Sequence, residues 1–185
     1  MTNTYSPSAI ATWANAVTVG RVMAAPILFV MIPGRQGSWG ALLLWFVLCA
    51  SDGVDGWLAR RQGVTISGAF LDPLADKILV LGAMFTLVRE HVFWFLPVAL
   101  IGAREIVISM YRTIVAGQGI SVPATRIAKL KTVTQQFAVG FALCPITALD
   151  HTYIWRTLLW VAVVLTLVTG AHYLLNARRL MVRAH

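Results

Sequence analysis

The sequence predicts an all-α, polytopic membrane protein built as a single bundle of six transmembrane helices. Three observations carry this reading. Hydrophobic residues make up 58% of the chain, charged residues only 12%, and mean hydropathy is +0.76, whereas a water-soluble domain is nearer half apolar and a quarter charged. The apolar residues gather into six stretches long enough to span a bilayer, with short breaks of Pro, Gly or charge between them. At ~20 residues per span plus turns, a chain of 185 residues holds about six helices in one domain, residues 1–185, with no room for a separate soluble domain. The same composition excludes a disordered chain, a coiled coil and an ordinary soluble enzyme.

In chain order, Met1 to Ala14 is polar to mildly amphipathic and lacks the basic stretch of a cleaved signal peptide. The six apolar segments then run roughly 15–33, 39–61, 67–88, 92–115, 126–147 and 153–177. The first stops at Pro33-Gly34-Arg35-Gln36-Gly37, the second at Arg61-Gln62-Gly63 and the third at Arg89-Glu90-His91. Gly117-Gln118-Gly119 closes the fourth, and Asp150-His151 separates the fifth from the sixth. Trp13, Trp39, Trp94 and Trp155 fall near the ends of these segments, where an interfacial aromatic belt would place them. Cys49 and Cys144 lie in apolar sequence without disulfide or metal-ligand spacing and read as small core residues. No internal repeat is visible, and His91, His151, His172 and His185 show no ligand spacing.

Charge orients the bundle. Lys and Arg number 15 against 7 Asp and Glu, a net +8. In a soluble protein this would suggest nucleic acid; in an apolar one it suggests the positive-inside rule and anionic lipid or phosphate partners. With six spans both termini share one side, which carries Arg60, Arg61, Arg126, Lys129, Arg178, Arg179 and Arg183. The opposite side carries Arg35, Arg89 and Arg156. The basic side, with both termini, is expected to face the cytoplasm.

Four of the seven acidic residues, Asp52, Asp55, Asp72 and Asp76, fall within 25 residues of otherwise apolar sequence. Asp52 and Asp55 are three apart on the second helix; Asp72 and Asp76 are four apart on the third; each pair shares a face. A short turn between the helices makes them antiparallel neighbours, so the four carboxylates point at one another near the cytoplasmic end. Each costs ~2.5–3.5 kcal/mol at mid-bilayer, and each like pair at ~4 Å adds roughly 4 kcal/mol of repulsion at an effective dielectric of about 20. Arg60, Arg61 and Lys77 are close in sequence, but two divalent cations match the charge and geometry better. An all-oxygen donor set selects Mg²⁺ or Mn²⁺, then Ca²⁺, over Zn²⁺, and a paired-metal carboxylate site suits phosphoryl transfer. Gly56, Ala59 and Gly68 lie on or near the same faces; their small side chains either admit a bulky ligand or serve ordinary helix packing in lipid.

The run from Asp52 to Asp76 resembles the signature of the CDP-alcohol phosphatidyltransferase family, D-x-x-D-G-x-x-A-R followed by G-x-x-x-D-x-x-x-D, with every fixed position matched: Asp52, Asp55, Gly56, Ala59, Arg60, Gly68, Asp72 and Asp76. The resemblance implies a membrane enzyme that moves a phosphatidyl group from CDP-diacylglycerol to an alcohol and releases CMP, with a two-metal site and a homodimeric assembly; in a direct in-line attack, Asp76 would complete one metal site on the four aspartates and act as the catalytic base. It also implies a CDP-lipid pocket lined by Asn15, Thr18, Gly56, Ala59, Arg60 and Gly68. Asn15 and Thr18 share one helix face, and interhelical hydrogen bonding is the other reading of them.

Further segments resemble the branch of the family whose acceptor is sn-glycerol 3-phosphate. They are Asn15-x-x-Thr18-x-x-Arg21, Phe70 to Lys77, Ala103 to Ser109 with Arg112, and Lys129-Leu130-Lys131-Thr132 with Gln135. Arg104, Arg112 and Lys131 are cations inside apolar segments, where they need a partner or a polar cavity. Guanidinium forks suit phosphate oxygens, so the three are candidates for the acceptor's phosphate. Alternatively Arg104 pairs internally with acidic groups and Arg112 snorkels to the cytoplasmic interface; Glu105 could hold a basic partner in place. A cardiolipin synthase or a phosphatidylinositol-phosphate synthase of the same fold would use another acceptor. From a different class, a divalent-cation transporter would need polar residues continuing to the opposite face, and the sequence has none matching.

Four carboxylates without enough nearby cations make the first expected outcome metal dependence. EDTA should abolish transferase turnover, and Mg²⁺ or Mn²⁺ should restore it. Full turnover in chelator, with elemental analysis finding no bound metal, would contradict the metal assignment.

Overall fold

The structure, a computed structural model, describes residues 13–62, 66–117 and 126–183, and the side chains of 16–51, 74–111 and 129–173. The described residues form seven helices: α1 (Trp13–Met31), α2 (Trp39–Gln62), α3 (Ile66–Arg89), α4 (Phe95–Gly117), α5 (Arg126–Leu143), α6 (Pro145–Leu149) and α7 (Thr152–Arg183). The six long ones run from 18 residues in α5 to 32 in α7, or about 27 to 48 Å at ~1.5 Å per residue.

The turns fix the topology. In the α1–α2 turn, the Ser38 N–H donates to the Leu143 carbonyl at the end of α5, 2.9 Å away. A Cβ on Gly34 of the same turn would lie 3.9 Å from Glu90 Oε2, in the α3–α4 turn. Phe93, also in that turn, packs on Trp155 at the start of α7 with ring centroids 5.4 Å apart. Three turns therefore share one end of the bundle. The N-terminal ends of α1, α3 and α5 and the C-terminal ends of α2, α4 and α7 lie at the other, which gives an up-and-down bundle. Among the described residues, α1 packs along both α2 and α3, α5 packs most extensively on α7, and α4 bridges α7 and α3. The turn between α2 and α3, on which the expected antiparallel pairing rests, lies outside the described residues at 63–65.

Local chemistry explains the caps. Ser38 Oγ accepts the Ala41 N–H at 3.3 Å, capping α2. His91 takes φ 56° after α3; its N–H reaches Val88 O at 3.0 Å, and the Val92 N–H reaches Leu87 O at 2.9 Å. This is a Schellman cap with His where Gly is usual, closed by buried Val92 over buried Leu87.

The core runs through Leu28, Trp45, Leu79, Met84, Val98, Ile101, Val139 and Leu159. Trp45 ties α2 to α5 by donating its indole N–H to Gln136 O at 3.2 Å. Large apolar side chains also cover the outside: Met23, Ile27 and Val30 on α1, Leu43 and Phe46 on α2, Ile106 and Met110 on α4, and Val161, Val164 and Val168 on α7 are exposed. Such a surface suits lipid rather than water.

Two expectations are corrected. The segment 126–147 is not one helix but breaks at Cys144. Pro145 has no N–H to give the Phe141 carbonyl, and its ring crowds that turn. Thr147 donates its hydroxyl to Phe141 O instead, and α6 begins at Pro145. Trp155 is not in an interfacial belt, being only 4% exposed and packed on Phe93, whereas Trp39 and Trp94 are exposed at helix ends as expected. Among the described residues one helix, over Thr152–Tyr173, is long and apolar enough by itself to cross a membrane, and Ala16–Met31 and Trp39–Ser51 are shorter apolar stretches. Charged side chains such as Lys77, Arg104, Glu105 and Lys131 interrupt the apolarity of α3, α4 and α5.

Gly37 gives the fold its test. Its φ is +66°, and an added Cβ would meet Leu143 O at 2.7 Å and Pro145 Cα at 2.9 Å, both backbone atoms. Left-handed backbone alone costs about 1–2 kcal/mol for an L-residue, and here the neighbour cannot rotate away. Gly37→Ala should lower the thermal unfolding midpoint in detergent by several degrees. An unchanged midpoint would contradict the seating of this turn against the α5–α6 junction.

Candidate active site

The motif aspartates sit on two helices whose relevant ends share one end of the bundle. Asp52 and Asp55 lie toward the C-terminus of α2, Asp72 and Asp76 in the N-terminal half of α3. The side chains of Asp52, Asp55 and Asp72 lie outside the described residues, as do those of Asn15, Gly56, Ala59, Arg60, Gly68 and Arg112. Among the described residues no set of three His, Cys, Asp or Glu gathers as a metal site.

The described residues form the surroundings. On α1, Thr18 and Arg21 are 1% and 2% exposed and three positions apart, hence on one face. Arg21 Nε donates to Ser51 Oγ at 3.2 Å, and the Ser51 hydroxyl donates to Leu48 O at 2.7 Å. Ser51 immediately precedes Asp52. A buried guanidinium from α1 therefore reaches the turn of α2 on which the first aspartate stands.

A second polar cluster joins α3, α4, α5 and α7. Glu105 Oε1 accepts Arg104 Nη1 at 3.1 Å and also Lys131 Nζ from α5. All three side chains are buried or nearly so. Arg104 Nη2 donates to Thr169 Oγ1 on α7 at 3.1 Å, and Thr169 donates its own hydroxyl to Leu165 O at 2.7 Å. Gln135 Nε2 donates to Thr166 Oγ1 at 3.1 Å, adding a second α5–α7 link. Lys77 on α3 donates to Ser109 Oγ on α4, and Ser109 donates to Glu105 O at 2.6 Å. Arg104, Lys77 and Asp76 all lie within electrostatic reach of Lys131.

Arg104 and Lys131 thus meet on Glu105, Lys77 reaches Ser109 on the same helix as Glu105, and Asp76 lies within electrostatic reach of Lys131. Two cations share the single carboxylate of Glu105. In a low-dielectric interior, clustered cationic N–H donors attract anionic oxygens strongly. Beside it stands Asp76, a carboxylate able to take a proton.

Sequence reasoning brought Arg104, Lys131 and Asp76 forward; Arg104 and Lys131 meet on Glu105, and Asp76 lies within electrostatic reach of Lys131. Arg104 also pairs internally with an acidic group, which is its alternative reading, and that group is Glu105. The roles of Arg21, Thr169 and Gln135 were missed. Arg21 had a signal, a charge inside an apolar helix beside Thr18; Thr169 had none, since a lone Thr in a span is ordinary.

Known proteins resemble this chain along most of its length. The family model for CDP-alcohol phosphatidyltransferase matches residues 11–168. The CDP-diacylglycerol–glycerol-3-phosphate 3-phosphatidyltransferase of Rickettsia typhi is 36% identical over 167 residues, covering 86% of this chain and 93% of its own. The enzymes of the same name from Shigella flexneri serotype 5b and Escherichia coli K12 are each 38% identical, over 169 and 179 residues, covering 88% of this chain and 92% of their own. The chain belongs to the CDP-alcohol phosphatidyltransferase family, a family of membrane proteins.

Proposed function

We propose that this chain transfers the phosphatidyl group of CDP-diacylglycerol to sn-glycerol 3-phosphate, forming phosphatidylglycerophosphate and CMP. The observation that carries the reading is the meeting of Arg104 and Lys131 on Glu105, within electrostatic reach of Lys77 and of Asp76, the last carboxylate of the family motif. A phosphorylated acceptor, unlike a neutral alcohol, gives such cations a charged ligand. The names of the relatives point to the same two substrates.

Asp52, Asp55, Asp72 and Asp76 are an all-oxygen donor set on two helices whose relevant ends lie toward the same end of the bundle, which fits two Mg²⁺ or Mn²⁺ ions. Ions bound there would neutralise the pyrophosphate of the CDP-lipid and the charge that develops on the departing CMP. The chain's own residues do the rest. Asn15, Thr18, Gly56, Ala59, Arg60 and Gly68 receive the CDP-lipid, the small residues giving it room close to the backbone. Arg104, Arg112 and Lys131 hold the phosphate of the acceptor, fixing its primary hydroxyl beside Asp76. Asp76 accepts the hydroxyl proton as that oxygen bonds to the lipid-side phosphorus. The bond from this phosphorus to the bridging oxygen breaks, and CMP leaves with its electron pair. The six long helices span the membrane, the site opens at the cytoplasmic end with both termini, and two copies assemble as a homodimer.

An acceptor screen tests the reading. Purified protein with CDP-diacylglycerol and Mg²⁺ or Mn²⁺ should release CMP with glycerol 3-phosphate well above glycerol, phosphatidylglycerol or inositol phosphate. Asp76→Asn, which keeps the shape and removes the base, should lose at least ~10² in turnover. CMP release with phosphatidylglycerol and none with glycerol 3-phosphate would assign a cardiolipin synthase instead. Near-normal turnover in Asp76→Asn would remove it from catalysis.

A further inference from the structure

Two cations from different helices meet on one oxygen. Glu105 Oε1 takes Arg104 from its own helix and Lys131 from α5. Without that carboxylate the two positive groups would repel, and nothing would fix their spacing.

Arg104 is also shaped by α7. The glycine at 170 lies under its stem: an added Cβ would come to 3.2 Å from Arg104 Nε, 3.3 Å from Cγ and 3.8 Å from Cδ. Its neighbour Thr169 accepts Nη2 at 3.1 Å. The guanidinium plane is therefore held at both outer nitrogens while its stem lies flat on bare backbone. Such a clamp leaves the arginine few rotamers.

A simple staple between helices does not need this arrangement. Apolar residues of similar volume hold buried helices together at least as well as a buried charge cluster. Here two cations from different helices share one carboxylate, and Lys77 and Asp76 of α3 both lie within electrostatic reach of Lys131. Spacing two cationic donors rigidly on one shared carboxylate suits a receptor for a planar or tetrahedral oxyanion.

We infer that Glu105 and Gly170 are positioning residues that set Arg104 and Lys131 as a two-pronged receptor for the phosphate of the acceptor. This inference rests on the acceptor assignment above. Glu105 sets the distance between the prongs, and Gly170 sets how deeply Arg104 lies against α7. Neither residue touches the acceptor.

The test uses the full chain in detergent, with glycerol 3-phosphate and CDP-diacylglycerol varied in turn. Glu105→Gln keeps the shape and removes the charge; it should raise the acceptor KM about tenfold or more, the size of a lost charge-assisted contact. The CDP-lipid KM should stay within about twofold, and Glu105→Asp should recover part of the loss, because the shared charge returns on a shorter arm. Gly170→Ala should raise the acceptor KM several-fold in the same selective way, through a displaced Arg104. If Glu105→Gln does not fold, Gly170→Ala decides alone. An acceptor KM within twofold of wild type, or both KM values rising together, overturns the inference and leaves the acceptor assignment standing. A wild type that ignores glycerol 3-phosphate overturns both.

Discussion

A charge inside an apolar bundle must be answered by another, and this constraint organises the working half of the molecule. A carboxylate stranded in such surroundings costs several kcal/mol. Glu105 avoids that cost by receiving Arg104 and Lys131 together, one from its own helix and one from α5. Arg104 then extends the network to Thr169 on α7, and Lys77 and Ser109 extend it to α3. Four helices are tied through polar contacts around one glutamate. Hydrophobic packing could bring the same helices together, but it could not fix where their charges stand.

The bundle divides along its length. At one end three turns interlock through backbone hydrogen bonds and apolar rings, with Ser38 on Leu143 and Phe93 on Trp155. The helices between them bury an apolar core around Trp45, Met84 and Val139. Toward the other end the buried positions turn polar: Thr18 and Arg21 on α1, Glu105 on α4, Lys131 and Gln135 on α5, Thr166 and Thr169 on α7. The apolar end supplies rigidity, and the polar end supplies chemistry. α1 couples the two, since it packs on both helices of the aspartate motif and carries Arg21 to the residue before Asp52.

How much of this was legible in the sequence depended on distance along the chain. The aspartates stood out because unpaired carboxylates in apolar sequence are costly, and their three- and four-residue spacings follow directly from the helix repeat. Arg104 and Lys131 were visible for the same reason. Their meeting was not, because Lys131 and Glu105 are 26 positions apart and Arg104 and Thr169 are 65 apart; only the packing of α4 on α5 and α7 creates those contacts. Gly170 carried no signal, since its role exists only where Arg104 crosses it. The break at Pro145 was hidden by hydropathy, which stays high from Phe141 to Leu149 while the backbone cannot stay helical. Trp155 misled because a Trp near a helix end looks the same in sequence whether it faces lipid or Phe93.

The central claim is that these cations deliver a phosphorylated acceptor to Asp76, and the lipid product records that most directly. Purified protein given CDP-diacylglycerol, glycerol 3-phosphate and a divalent metal can be followed by phosphorus NMR. The expected product is a single lipid with phosphodiester and phosphomonoester signals in equal amounts, appearing together with an equal amount of CMP. A product containing phosphodiester phosphorus alone would contradict the assignment of Arg104 and Lys131 to the acceptor's phosphate.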